Sequence, residues 1–217
     1  MSVTLCYWDL RGLGEASRLL LHYAEAEWED KRLVLSETAF GDWKAEKFNL
    51  GLDFPNLPYL IDGDIKITQS VAIIRYLGRK FNLTATSEAE HVRLDLAEQE
   101  LQDMKMAQSK LCYNPKYEEL KAEYVTNLAV KVSQMDKFLG AGPWVLGEKM
   151  TYVDFMAYEF MDASRKQFPD NFKEAANINA FLDRLQALPR MKEWFNSDAY
   201  KAGQYINSPM AAWHGKE

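Results

Sequence analysis

The apolar positions of the chain follow two different repeats, and the change between them falls near residue 83. Val3 to Tyr7 is rich in β-formers and reads as a short strand. Gly12 and Gly14 open a helix from about Glu15 to Ala26, with Ala16, Leu19, Leu20 and Tyr23 on one face. A second strand is expected around Glu29 to Leu35, then a polar loop from Ser36 to Asp42 and a short helical stretch around Trp43 to Phe48. Pro55 and Pro58 bracket Asn56 and Leu57 ahead of the apolar run Tyr59-Leu60-Ile61. Asp62-Gly63 is a hairpin signal before the strand Ile65 to Thr68. Ser70 is placed to cap a helix reaching about Lys80, with Ile73, Ile74, Leu77 and Phe81 on one side.

Past Asn82 only the helical repeat remains. Ser87-x-x-Glu90 is a capping box opening a helix to about Cys112, whose seam is Leu94, Ala97, Leu101, Met104, Ala107 and Leu111. Asn114-Pro115 stops it, and a second helix runs from about Tyr117 to Leu139, ended by Gly140 and Gly142. Thr151 and Asp154 form a stronger capping box, with Met150 and Phe155 spaced as a hydrophobic staple, and that helix reaches about Gln167. Helices near Asn177 to Ala187 and Pro189 to Asn196 precede an irregular tail. The chain therefore divides into residues 1–82, a linker at 83–88, and an all-helical part at 89–217. The first part has the order βαβαββα, that of a thioredoxin-like domain, although other α/β arrangements share it.

Composition removes several function classes. The 217 residues are 47% hydrophobic and 27% charged, a globular balance. With 26 basic against 32 acidic side chains the formal charge is −6, which disfavours binding to a nucleic-acid backbone. The longest stretch without a charged residue, Ala202 to Gly215, is too short and too polar for a membrane span, and no signal-peptide pattern opens the chain. Cys6 and Cys112 make neither a disulfide framework nor a CxxC pair, so a reduced, cytoplasmic protein is expected.

Several chemical motifs fail on spacing. Gly12-x-Gly14 begins a dinucleotide-loop pattern that Ser17 breaks. His22, His91 and His214 have no metal-ligand spacing. Cys6 alternates with Tyr7 along the strand and belongs to the core, and Met104 and Met106 read as core or interface.

Four blocks carry a specific resemblance. Tyr7-Trp8-Asp9-Leu10-Arg11-Gly12, Leu50 to Tyr59 (LGLDFPNLPY), Thr68-Gln69-Ser70 and Thr151-x-x-Asp154-Phe155 together resemble the glutathione transferases, most closely the mu class, over nearly the whole chain. The resemblance implies a thioredoxin-like domain followed by a helical one, and attack of the glutathione thiolate on hydrophobic electrophiles, a detoxifying reaction. Glutathione is then a co-substrate, with no permanently bound cofactor and no metal. The alternative of another class is a non-catalytic carrier of hydrophobic ligands on the same fold.

Residue by residue, the resemblance makes Tyr7 the hydrogen-bond donor to sulfur. Gln69 and Ser70 at a helix start match the site of the γ-glutamyl carboxylate, which suits free N–H groups and the helix dipole. Leu57, before a cis Pro58, matches the strand edge that pairs with the cysteinyl unit, and Asn56 lies beside it. Trp43 and Lys47 match the residues at the glycyl carboxylate. Asp103 matches an aspartate that reaches the γ-glutamyl ammonium across a homodimer interface, and Phe54 matches the aromatic key of that interface. Tyr113 and Ser208 match the electrophile site, and Trp8 and Leu13 match residues that line it and also border glutathione.

Three departures stand out. The segment before Trp43 is about three residues shorter than in vertebrate mu enzymes, as in invertebrate, helminth-type relatives, and Asp42 replaces the usual upstream arginine. Lys105 occupies a position that varies in the class. Asn207 stands where a bulky apolar residue is expected. The last two bear on substrate choice.

Overall fold

The computed structural model describes residues 3–202 and 205–215. The outer limits of both expected domains, residues 1 and 217, lie outside the described residues. Four strands form one sheet in the order β2-β1-β3-β4. β1 (Val3–Trp8) and β2 (Trp28–Leu33) run parallel and are joined by the crossover helix α1 (Glu15–Tyr23). β3 (Tyr59–Asp62) lies antiparallel to β1 and returns into β4 (Ile65–Thr68) through a turn in which Gly63 takes φ +61°, open to glycine without strain. α3 (Ser70–Lys80) follows and packs on α1. The expected βαβαββα order is present.

Two local expectations change. The segment from Ser36 to Asp42 is not a loop. Ser36 accepts the Ala39 N–H at 3.1 Å and starts α2 (Glu37–Glu46), which passes into a 3₁₀ turn at Lys47–Asn49. No residue of α2 is buried, so the helix carries no apolar stripe by which periodicity could announce it. Ser70 is the first helical residue of α3 and not its cap. Gln69 occupies the cap position at φ +71° and ψ 112°, with no side-chain hydrogen bond to the helix.

The helical half comprises α4 (Glu88–Cys112), α5 (Tyr117–Leu139), α6 (Tyr152–Gln167), α7 (Ala176–Ala187), α8 (Pro189–Asn196) and a short α9 (Asp198–Ala202) inside the tail expected to be irregular. Ser87 caps α4 through the Glu90 N–H, but the Glu90 carboxylate reaches back to Thr86, accepting its N–H at 2.6 Å and its hydroxyl at 2.9 Å. In the α4 seam the exposed Ala107 gives way to the buried Gln108, as the 3.6-residue period requires. The α6 box is complete: the buried Asp154 carboxylate accepts the Thr151 N–H at 2.7 Å and also the Val145 N–H at 2.8 Å. Burial nevertheless pushes its pKa up to about 6.

The two halves share one core. α1 packs against α3 on its own side and against α6 and α8 of the helical half. Being covered all round, it buries Ser17 and Arg18 as well as Leu19, Leu20 and Leu21. A second, smaller apolar cluster, built from Cys6, Tyr7, Leu10, Leu52, Leu57 and Tyr59, lies under the end of β1. Among the described residues no helix is long and apolar enough to cross a membrane.

Candidate active site

Tyr7 leaves the core at the end of β1 with 8% of its surface exposed. Its ring lies against the turn between β1 and α1, and this turn needs its glycines for that reason. A Cβ on Gly12 would stand 2.9 Å from the Tyr7 hydroxyl, and one on Gly14 would stand 2.8 Å from the ring. The Leu13 N–H donates to the Tyr7 oxygen, which opposes the upward push of burial on the phenol pKa. Because that oxygen already accepts one bond from the chain, its single proton is free to go elsewhere.

The turn is held from three sides. The Arg11 and Gly12 N–H groups donate to Tyr205 and Ile206 carbonyls in the tail at 2.7 and 3.0 Å. The Lys105 ammonium on α4 donates to the Gly12 carbonyl. The Arg11 side chain, 4% exposed, enters the helical half and pairs with Glu159 at 2.6 Å and Asp162 at 2.9 Å on α6. Burial works against each charge. The two carboxylates hold the Arg11 guanidinium well above its ordinary range, whereas burial raises the Glu159 carboxyl against the pull of Arg11 and Lys105.

Over this turn opens a cleft of about 410 Å³. It brings together five of the residues singled out from sequence: Tyr7, Trp8, Leu13, Tyr113 and Ser208. Tyr113 closes α4, and its oxygen accepts the Ser208 N–H at 2.9 Å, so the tail is tied to the helix end across the cleft. Lys105 and Asn207 line it too. So does Met106, 53% exposed and therefore outside the core in which Met104 is buried. Leu35, Phe40, Ser109 and Met210 were not foreseen. Phe40 stands 4.5 Å from Trp8 between ring centroids and comes from the segment expected to be a polar loop. Its signal was present in the sequence as the Ser36-Glu37 helix start.

The residues assigned to glutathione are less uniformly gathered. Ser70 shares a narrow cavity with Leu13, Gln102 and Lys105, beside the cleft. The Leu57–Pro58 peptide is cis, but the Leu57 N–H donates to the Asn56 side chain at 2.9 Å and is therefore not free. Trp43 stacks on Tyr59 at 5.9 Å. The Lys47 ammonium sits 4.8 Å over the Phe48 ring. Asp103 is exposed on α4 and lines neither the cleft nor the narrow cavity. Gln69 is exposed with the strained φ noted above, and Phe54 is 72% exposed. Arg11 and Glu159 escaped sequence reading because 148 residues separate them. Among the described residues no cluster of histidine, cysteine or acidic side chains could hold a metal ion.

Family models agree with this geometry. The model described as glutathione S-transferase, N-terminal domain matches residues 3–79, and the one described as glutathione S-transferase, C-terminal domain matches residues 102–198. The chain belongs to the glutathione S-transferase family. It is 43% identical over 224 residues to glutathione S-transferase 2 of Gallus gallus, covering 100% of both chains. It is also 43% identical over 223 residues to glutathione S-transferase Mu 2 of Rattus norvegicus, again covering 100% of both. A glutathione S-transferase of Tyrophagus putrescentiae is 42% identical over 213 residues, 98% of this chain and 96% of that one. Among solved structures, the glutathione S-transferase Blo t 8 superposes with a TM-score of 0.89 at 35% identity, covering 97% of this chain and 99% of that one. The mu-like resemblance thus extends from the four sequence blocks to whole chains.

Proposed function

We propose that this glutathione S-transferase joins the thiolate of reduced glutathione to hydrophobic electrophiles in the cleft beside Tyr7. One observation carries the reading: the Tyr7 oxygen, on the cleft wall, accepts from the Leu13 N–H, which leaves its only proton available to an acceptor that enters. A thiol with an ordinary pKa near ~8.5 is mostly protonated at neutral pH. A hydrogen bond to a charged acceptor contributes about 1.5–3 kcal/mol, enough to lower a thiol pKa by about one to two. The thiolate then forms the C–S bond, and the electrophile's leaving group departs with its bonding pair, or its π electrons shift onto a neighbouring oxygen.

In the same proposal residues 1–82 hold glutathione, residues 83–88 link, and residues 89–217 shape the electrophile site. The γ-glutamyl carboxylate binds at Gln69 and Ser70, where the first N–H groups of the eleven-residue α3 have no intrahelical acceptor. Leu57 pairs with the cysteinyl unit, and Asn56 turns from the Leu57 N–H toward the incoming ligand. Trp43 and Lys47 meet the glycyl carboxylate, Lys47 leaving the Phe48 face. Asp103 of the partner subunit completes the ammonium site in a homodimer, with the exposed Phe54 as the key between subunits. The setting is cytoplasmic and the role detoxification.

Titrating bound glutathione by thiolate absorbance tests the reading. The pKa should fall below that of free glutathione in the wild type and return toward it in Tyr7→Phe, whose turnover of an aryl halide should drop about ten- to a hundredfold while glutathione still binds. An unshifted thiol in the wild type would leave only a carrier of hydrophobic ligands.

A further inference from the structure

Lys105 is the one formally charged side chain on the described wall of an otherwise neutral cleft. A cation among apolar groups is costly unless something answers it. Its surroundings answer it only in part. The Arg11 guanidinium engages Glu159 through three contacts of 2.6–3.2 Å and Asp162 at 2.9 Å, and Lys166 takes Asp162 from the other side at 2.9 Å. Glu15, the next acid inward, is paired with Arg18 at 3.2 Å. Arg11, Lys105 and Lys166 thus share Glu159 and Asp162, and no carboxylate among the described residues lies within 4.0 Å of the Lys105 ammonium. Its observed hydrogen bond goes to the neutral Gly12 carbonyl, which uses one of three donors. Across the same cleft the Tyr113 oxygen accepts the Ser208 N–H, which leaves its proton available to another acceptor. The Asn207 amide nitrogen is likewise taken by the Trp213 carbonyl at 3.1 Å.

We infer that Lys105, with the Tyr113 hydroxyl lining the same cleft, makes this cleft a receptor for anions, and that its preferred electrophiles carry a carboxylate remote from the reacting carbon. The inference rests on the proposed conjugation and narrows its substrate class. The carboxylate supplies the counter-charge that the Arg11, Glu159 and Asp162 cluster withholds from Lys105, and it takes no part in the bond changes. With a chloronitrobenzoate, sulfur bonds to the chlorine-bearing carbon, chloride leaves with the C–Cl pair, and the carboxylate stays ionised on the ring.

A charge-matched pair tests it: 4-chloro-3-nitrobenzoate against its methyl ester. In Lys105→Met the ratio of kcat/KM for acid over ester should fall about tenfold or more relative to wild type, carried mainly by KM for the acid. Lys105→Arg should hold the ratio near wild type. Lys105→Gln, which keeps a donor for the Gly12 carbonyl without the charge, should behave like Lys105→Met. An unchanged ratio, with both substrates slowed alike, would reduce Lys105 to a brace for the β1–α1 turn and overturn the inference. Calorimetry without glutathione separates the two layers. The unreactive 3-nitrobenzoate should bind wild type at least tenfold more tightly than Lys105→Gln, while its methyl ester should not discriminate. If wild type conjugates neither chloroarene yet shows that difference, the transferase reading fails and the anion site stands. If both chloroarenes react and 3-nitrobenzoate binds the two proteins equally, only the anion site fails.

Discussion

The two walls of the cleft are built in opposite ways. The β1–α1 turn is tied by backbone bonds to the tail, by Lys105, and by an ion cluster sunk between the two halves. The facing helix α2 buries no residue, and its best-defined tie is the Ser36 cap. In the proposed reaction, rigidity sits where the Tyr7 proton would be aimed to a fraction of an ångström, and the loosely held wall lies where electrophiles of different shape would be met. A single stiff cavity would place the proton as well but would accept fewer shapes.

The largest test strikes the stiff wall. Glu159→Ala leaves Arg11 buried with Asp162 alone and should cost about 3–5 kcal/mol in urea unfolding. The double change Arg11→Met with Glu159→Met should cost less than that single one, because the remaining buried carboxylate, Asp162, keeps Lys166 at 2.9 Å. A loss under about 1 kcal/mol for Glu159→Ala would remove the contrast between the walls.

Glycine substitutions sharpen the comparison at equal chemistry. Gly14→Ala places a methyl 2.8 Å from the Tyr7 ring. It should destabilise by about 1–3 kcal/mol and, by moving the hydroxyl, slow conjugation tenfold or more, read by steady-state kinetics and thermal melting.

Behind the same wall, His22 on α1 stacks on Trp194 of α8 at 3.6 Å. Burial lowers its pKa to about 4, with Glu15 and Asp30 pulling it up and Arg32 and Arg18 pushing it down. The unfolded chain takes its proton near ~6.5. The stabilisation from a neutral His22 is therefore complete above that pH and is lost as pH falls from about 6.5 toward 4. His22→Gln should flatten this part of the stability profile, by about 1–3 kcal/mol after allowing for the partly wet ring. The smallest effect belongs to the loose wall. Gly41→Ala in α2 meets no atom within 4 Å and should stabilise by about 0.5–1 kcal/mol through helix propensity, leaving turnover near wild type.

What could be read beforehand follows the same division. α4, α5 and α6 announced themselves through long apolar repeats, and Thr151 with Asp154 marked a helix start to the residue. α2 stayed hidden because an element that buries nothing leaves no periodic trace, and Leu35 and Phe40 were lost from the cleft with it. Tyr7, Trp8, Leu13, Tyr113 and Ser208 were found through family resemblance, since periodicity alone cannot bring residue 7 beside residue 208. The Arg11 cluster was illegible for a related reason: a buried ion pair between distant segments looks, along the chain, like scattered surface charge. Lys47, expected at the glycyl carboxylate, rests on the Phe48 ring, a contact that its place in the sequence does not announce.

Segments from near opposite ends of the chain meet at this cleft, where the Arg11 and Gly12 amides reach the carbonyls of Tyr205 and Ile206. The long segment between residues 12 and 205 must be in place before that closure can form, and the entropy of so long a loop is recovered only once the rest has packed. Catalytic competence should therefore be the last property acquired during folding. A newly emerging chain could complete its sheet and long helices while remaining unreactive toward the electrophiles around it.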